Sequence, residues 1–257
     1  MIEPLMDSEL AEIEPDQEDK VDIAADDQEM PLLDHLAELR KRIFYAIAAV
    51  VVGIVGCFVF VNKIVYFLEV PAHGVKFLQL SPGEYFFVSI KVAGYSGLVV
   101  AAPLIFYQIV RFVLPGLTTR EKKFVAPIVF GSSILFVAGI AFAYVALIPA
   151  ALNFFIAYGG DVVEQLWSID RYFEFVLLLL FSTGLAFQIP IVQALLGLVG
   201  IVTSKQMISG WRYVILGALV VGGVLTPSTD PLTQSLLAGA IGGLYFGGIG
   251  LVKLLGR

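Results

Sequence analysis

Cysteine is almost missing from this 257-residue chain, and so is histidine: Cys57 stands alone, and His35 and His73 are the two histidines. A disulfide framework is therefore excluded, and no set of His and Cys has the spacing of a metal site. Charge is scarce as well, at 15% of residues. It is wholly absent from six long stretches, 43–62, 92–110, 124–160, 175–204, 213–229 and 231–252. Catalytic patterns are also lacking. There is no Gly-x-Ser-x-Gly, no His-Glu-x-x-His and no phosphate-binding glycine loop. A serine–lysine membrane hydrolase needs a lysine within the membrane, and the six stretches hold none. No enzyme activity, cofactor or metal is expected.

What remains is apolar: 58% hydrophobic residues and a mean hydropathy of +0.89. A bilayer core of about 30 Å needs about 20 apolar residues per helical crossing. The backbone amides within it must be satisfied by a helix or a closed barrel. Barrel strands alternate polar and apolar residues over about 10 positions, and these runs are continuous and longer. The expectation is an all-α membrane protein with six spans, at about 43–62, 86–110, 124–157, 172–200, 211–227 and 231–252. The 37 residues of 124–160 are too long for one straight crossing, and Pro127 and Pro149 offer bends. Pro103 and Pro190 fall inside the second and fourth spans. The stretch 213–229 is short.

The net charge of −6 divides unevenly. Residues 1–34 hold thirteen of the 22 acids and one base, Lys20, so they carry −12 and leave +6 on the rest. Residues 1–30 read as a solvated, disordered tail, or one that docks a basic partner. They have no signal-peptide pattern. Residues 31–257 form the membrane domain. In the short loops, eleven bases fall on one side, including Arg40, Lys41, Arg42, Arg111, Arg120 and Lys123, against four on the other. Bases mark the cytoplasmic side, so both termini are expected there.

Few polar residues can carry function. Residues 31–42 read as an amphipathic helix, with Leu32, Leu33, Leu36 and Leu39 at helical spacing. Glu38 is a lone acid ahead of three bases; it is either an i,i+4 partner of Arg42 or an acceptor for an incoming basic group. Glu121 is likewise one acid among bases, and in the first turn of a helix capped by Thr118 or Thr119 it suits the helix dipole. Two such carboxylates can hold two adjacent arginines through bidentate, charge-assisted bonds that lysine cannot match. Gln188, ahead of Pro190, needs a hydrogen-bond partner at membrane depth, either within the chain or on another protein's helix. Thr226 and Gln234 can belong to the same polar face.

The chain resembles the TatC family, the multi-spanning receptor of the twin-arginine protein translocase. The resemblance lies in His35-Leu-Ala-Glu-Leu-Arg-Lys-Arg42, Ala102-Pro-Leu-Ile-Phe-Tyr-Gln108, Phe112-Val-Leu-Pro-Gly-Leu117, Arg120-Glu-Lys-Lys123, Gly139-Ile-Ala-Phe-Ala-Tyr144, Phe187-Gln-Ile-Pro190 and Leu225-Thr-Pro227, in that order. It covers about residues 30–255. It implies six helices in a concave, glove-like bundle and a receptor core that binds the Arg-Arg signal of folded precursors for export driven by the proton-motive force. Glu38 and Glu121 match the family's signal-contacting acids, and Arg40, Pro103 and Phe112 match other positions of that region. The implied partners are twin-arginine signal peptides and single-span TatA- or TatB-like subunits, within an oligomeric receptor complex and without nucleic acid. Gln188, Thr226 and Gln234 are the candidate contacts to partner helices; several relatives hold a Glu where Gln188 stands, so a proton-binding role there is not expected. The implied location is the bacterial inner membrane, or the thylakoid membrane of a photosynthetic source. The alternative function is a secondary transporter of a small solute, which needs a polar or ionic site at broken helices in mid-membrane.

Overall fold

An apolar run in hydrocarbon has no water to bond its amides, and this chain answers with helices almost throughout. The computed structural model describes residues 32–72, 75–113, 122–159, 166–225 and 231–256. Among the described residues, five helical stretches are long and apolar enough to cross a membrane, and a shorter apolar one starts at Trp211. Helix α1 spans Leu32–Val59 and runs unbroken from the amphipathic segment into the first apolar run. At 1.5 Å per residue its 28 residues reach about 42 Å. Helix α3, Glu84–Val113, lies against α1 and carries Pro103 without a break. The two backbones meet at glycines: a Cβ on Gly97 would stand 2.5 Å from the backbone nitrogen of Ile54, and one on Gly53 would stand 2.6 Å from the carbonyl oxygen of Gly97.

The long third run bends by a different device from a simple proline kink. Helix α4, Val125–Phe142, passes through a π turn, Ala143–Leu147, into α5, Ile148–Gly159. Pro149 would clash with the carbonyl four residues back, that of Val145, and the wider turn accommodates it. In the fourth run the proline does end the helix. Helix α6, Ile169–Ala186, stops at Phe187 and Gln188, and α7, Ile189–Leu198, restarts with Pro190 in its first turn, where a missing N–H costs little. The expected single fourth helix is therefore two. After them come α8, Ser204–Ser209, with a Thr203–Gln206 capping box, α9, Trp211–Leu225, and α10, Pro231–Leu254. The 15 residues of α9 span only about 22 Å.

Call the end where α1 begins the near end. There Val110 of α3, Ile128 of α4 and Leu198 of α7 form one apolar cluster that Phe124 and Leu255 join. At the far end the segments between the expected spans are themselves structured. Helix α2, Val61–Glu69, precedes a short parallel pair, β1 Lys76–Leu78 with β2 Leu166–Ser168, in the register Phe77 to Trp167. Glu84 stitches this end together. Its carboxylate accepts from the backbone N–H groups of Leu80 (2.5 Å), Ser81 (3.1 Å) and Asp170 (3.3 Å) and from Ser168 Oγ (2.8 Å). Lys91 adds an ion pair to Asp170 at 2.7 Å. The carbonyl of Phe67 would be bonded in a helix by residue 71, but Pro71 has no N–H; Tyr144 Oη donates to it instead, at 2.8 Å. Tyr172 Oη donates to the neighbouring Leu68 carbonyl at 2.7 Å. Burial holds the nearby Glu69 carboxyl above its ordinary pKa.

The main core gathers Val88, Val92, Leu147, Leu152, Phe173, Val176 and Leu179, all buried, from α3, the π turn, α5 and α6. Large apolar side chains such as Phe44, Val52, Phe130, Val145 and Leu216 remain on the outside. In lipid this exposure carries no penalty, because the acyl chains are as apolar as the side chains.

Candidate functional site

The chemistry expected of the near end collects where α1 begins and α3 ends. Glu38 and Arg42 sit one helical turn apart on α1, on the side that faces α3. Arg42 donates to Glu38 Oε1 from Nη2 at 2.8 Å and from Nε at 3.2 Å. Its Nη1 reaches across to Oε1 of Gln108 on α3, at 3.2 Å. Both members of the ion pair are four-fifths covered, with side chains 19% and 20% exposed. Below them the His35 ring stacks on Phe112 with centroids 4.3 Å apart, and Arg111 lies over the Tyr107 ring. Thus Glu38 and Phe112 are brought together at this end. Arg40 is exposed on α1, and Pro103 is exposed on α3, more than two turns before Phe112. Glu121 and Thr226 lie outside the described residues, as does the 1–30 tail.

Of the two alternatives for Glu38, the pair is the i,i+4 bridge, a carboxylate holding a guanidinium of its own helix. Every bond to Glu38 falls on Oε1; among the described residues Oε2 accepts none. Gln108 and His35 were not singled out as site residues. Gln108 is separated from Arg42 by 66 positions, and nothing in the local pattern joins the two.

The polar residues of the fourth run sit elsewhere. Gln188 occupies the break between α6 and α7. Its Oε1 accepts from Ser132 Oγ at 2.6 Å, and its Nε2 donates to the Ser132 carbonyl at 3.1 Å. Both residues are buried. Gln188 therefore has its partner inside the chain, on α4. Gln193 is buried between α7 and α10, with Oε1 where a Cβ on Gly248 would be, so only glycine lets the helices approach there. Gln234, at the start of α10, donates to the Leu219 carbonyl on α9 at 2.8 Å. An apolar cavity of about 450 Å³ lies between these elements, lined by Ser182, Ala186, Ile189, Val214, Ala218 and Leu237.

The basic residues divide with the ends. Arg40, Lys41, Arg42, Arg111, Lys123, Lys205, Arg212 and Lys253 stand at the near-end termini of their helices. Lys91 and Arg171 at the far end are paired with Asp170 and Glu174.

Comparison with known proteins bears on this arrangement. The profile of the family described as Sec-independent protein translocase protein (TatC) matches residues 34–239. A Synechocystis protein named Sec-independent protein translocase protein TatC is 68% identical over 247 residues, 96% of each chain. A chloroplastic TATC protein of Arabidopsis thaliana is 59% identical over 90% of this chain and 69% of its own. A solved structure described as the twin arginine translocase receptor TatC superposes with a TM-score of 0.77, at 35% identity, over 87% of this chain and all of that one. The solute-transporter alternative is not favoured by these likenesses.

Proposed function

Since the chain belongs to the TatC family of Sec-independent protein translocase proteins, we propose that it is the receptor core of the twin-arginine translocation system and binds the Arg-Arg signal of folded precursors at its near end. The observation that carries this reading is the guanidinium already seated on Glu38. A partly covered carboxylate that holds its own guanidinium through Oε1 alone, with no bond to Oε2 from the described residues, is suited to a signal guanidinium whose planar fork displaces that contact and takes both oxygens. Phe112, stacked on His35 of α1, the helix that carries Glu38, supplies an apolar surface at this end. Arg40 and Pro103 complete the region by family resemblance. Glu121 joins by resemblance alone, as the acid for the second arginine.

In this reading the near end is cytoplasmic. The support is the gathering of bases there, since Lys and Arg in short segments stay on the cytoplasmic side. Both termini, with the acidic tail 1–30 ahead of the membrane domain 31–257, are then cytoplasmic. The short α9 supplies the sixth crossing. Single-span TatA- or TatB-like subunits dock against α9 and α10, where Gln234 and Thr226 offer polar contacts, and Gln188 shapes the neighbouring wall. The assembly is oligomeric and is driven by the proton-motive force. Cyanobacterial and chloroplast relatives support a thylakoid or cytoplasmic membrane location.

The test is binding of a labelled twin-arginine peptide to the detergent-solubilised protein. A charge-assisted hydrogen bond is worth about 1.5–3 kcal/mol, so Glu38→Gln and Glu121→Gln each weaken binding by about 10- to 150-fold. Unchanged affinity in both variants overturns the proposal.

A further inference from the structure

We infer that Arg42 is a built-in occupant of the Glu38 site, parked there by Gln108, and that it sets the affinity threshold an incoming signal must exceed. The inference rests on Glu38 being a signal-binding carboxylate. Arg42 approaches the carboxylate side-on: Nη2 and Nε both bond to Oε1, at 2.8 and 3.2 Å. Its remaining terminal nitrogen, Nη1, is committed to Gln108 Oε1 at 3.2 Å. The contact to Gln108 comes from a different helix, so the occupied geometry is held by the tertiary packing of α1 on α3 as well as by the local helix turn.

Two consequences follow from the geometry. While Arg42 is in place, the negative charge of Glu38 is compensated, and ligands that offer one weak cationic contact gain little there. A ligand guanidinium that engages Oε1 and Oε2 together makes two parallel charge-assisted bonds and outcompetes the single-oxygen contact. An internal competitor of this kind lowers the affinity of every ligand for the carboxylate by one common factor. It does not change the ratio between ligands; the Arg-over-Lys preference comes from the fork geometry at Glu38 itself.

The experiment measures binding of labelled Arg-Arg and Lys-Lys signal peptides to the purified full chain by fluorescence anisotropy. Arg42→Gln is expected to tighten both peptides by the same factor, about 2- to 12-fold, the range from an i,i+4 ion pair at its strongest to one charge-assisted bond at its weakest. Gln108→Leu is expected to tighten them in the same direction by about twofold, because it loosens the parking contact. Tighter binding cannot arise from misfolding. Lys41→Gln removes the same charge from an exposed neighbour and is expected to change little. In a Glu38→Gln background, Arg42→Gln is expected to have no effect. If Arg42→Gln tightens binding equally in that background, Arg42 only repels cationic ligands and the inference fails. If Glu38→Gln weakens binding but Arg42→Gln leaves it unchanged or weaker, the inference fails while the receptor reading stands. If Glu38→Gln itself has no effect, the premise that Glu38 binds the signal falls first, and the inference with it.

Discussion

The pair formed by Gln188 and Ser132 permits a quantitative test of what holds the broken fourth run in place. Two hydrogen bonds, at 2.6 and 3.1 Å, tie the α6–α7 break to α4, and both residues are buried. In membrane proteins an interhelical hydrogen bond measures about 0.6 kcal/mol on average and about 1.7 at most. Two bonds therefore amount to about 1–3 kcal/mol. Gln188→Leu removes both; the freed Ser132 hydroxyl can turn to a carbonyl of its own helix and recover part of the loss. Ser132→Ala leaves the Gln188 carbonyl oxygen buried without its hydroxyl donor. In the double variant no polar side chain is stranded, and replacing both partners by apolar groups is close to neutral. The cycle is thus strongly non-additive, with a coupling of about 1–2 kcal/mol. Unfolding by denaturing detergent, followed by the fluorescence of Trp167 and Trp211, supplies the four free energies. Additive single variants, with coupling below about 0.5 kcal/mol, refute the assignment of the pair as the tie. The same variants address the docking role. If Gln188 meets a partner helix, Gln188→Leu lowers crosslinking to a single-span subunit and leaves peptide binding intact. Equal crosslinking assigns it to the hinge alone.

Other outcomes follow from contacts that leave no slack. Gly97→Ala places a methyl 2.5 Å from the backbone of Ile54, and because neither backbone can yield, overpacking of about 1–3 kcal/mol is expected. Gly56→Ala, with nothing within 4 Å, is the control, and thermal melting in detergent separates them. Glu84→Gln replaces one accepting oxygen with an amide nitrogen. Either the N–H groups of Leu80 and Ser81 or those on the Ser168 side lose their acceptor. Faster amide exchange at β1 and β2 is expected, with the near end unchanged; unaltered exchange there removes Glu84 from its stitching role.

Several features could be read in the chain and several could not, for reasons visible in particular residues. The apolar stretches were legible because a bilayer permits so few solutions to the amide problem. The two ends were legible because bases cluster in short segments. Prolines were not equivalent, however. Pro103 rides inside α3, Pro149 is absorbed by a π turn, and Pro190 ends a helix. The pairing of Lys76–Leu78 with Leu166–Ser168 is also silent in sequence, since neither three-residue segment has a strand pattern of its own.

The candidate site shows the same division. Glu38 stood out by itself, as an acid among bases, and its turn-distance from Arg42 is a property of one helix. Gln108 and Ser132 did not stand out, because their partners lie 66 and 56 residues away. Composition and local spacing determined that this chain is a helical membrane protein, with its basic end and its lone carboxylates. Only the packing of α1 on α3 decided which side chain fills the carboxylate, and only the packing of α4 on the α6–α7 break decided what satisfies Gln188. Hydrocarbon dictates backbone hydrogen bonding segment by segment, whereas side-chain partners are chosen by which helices touch.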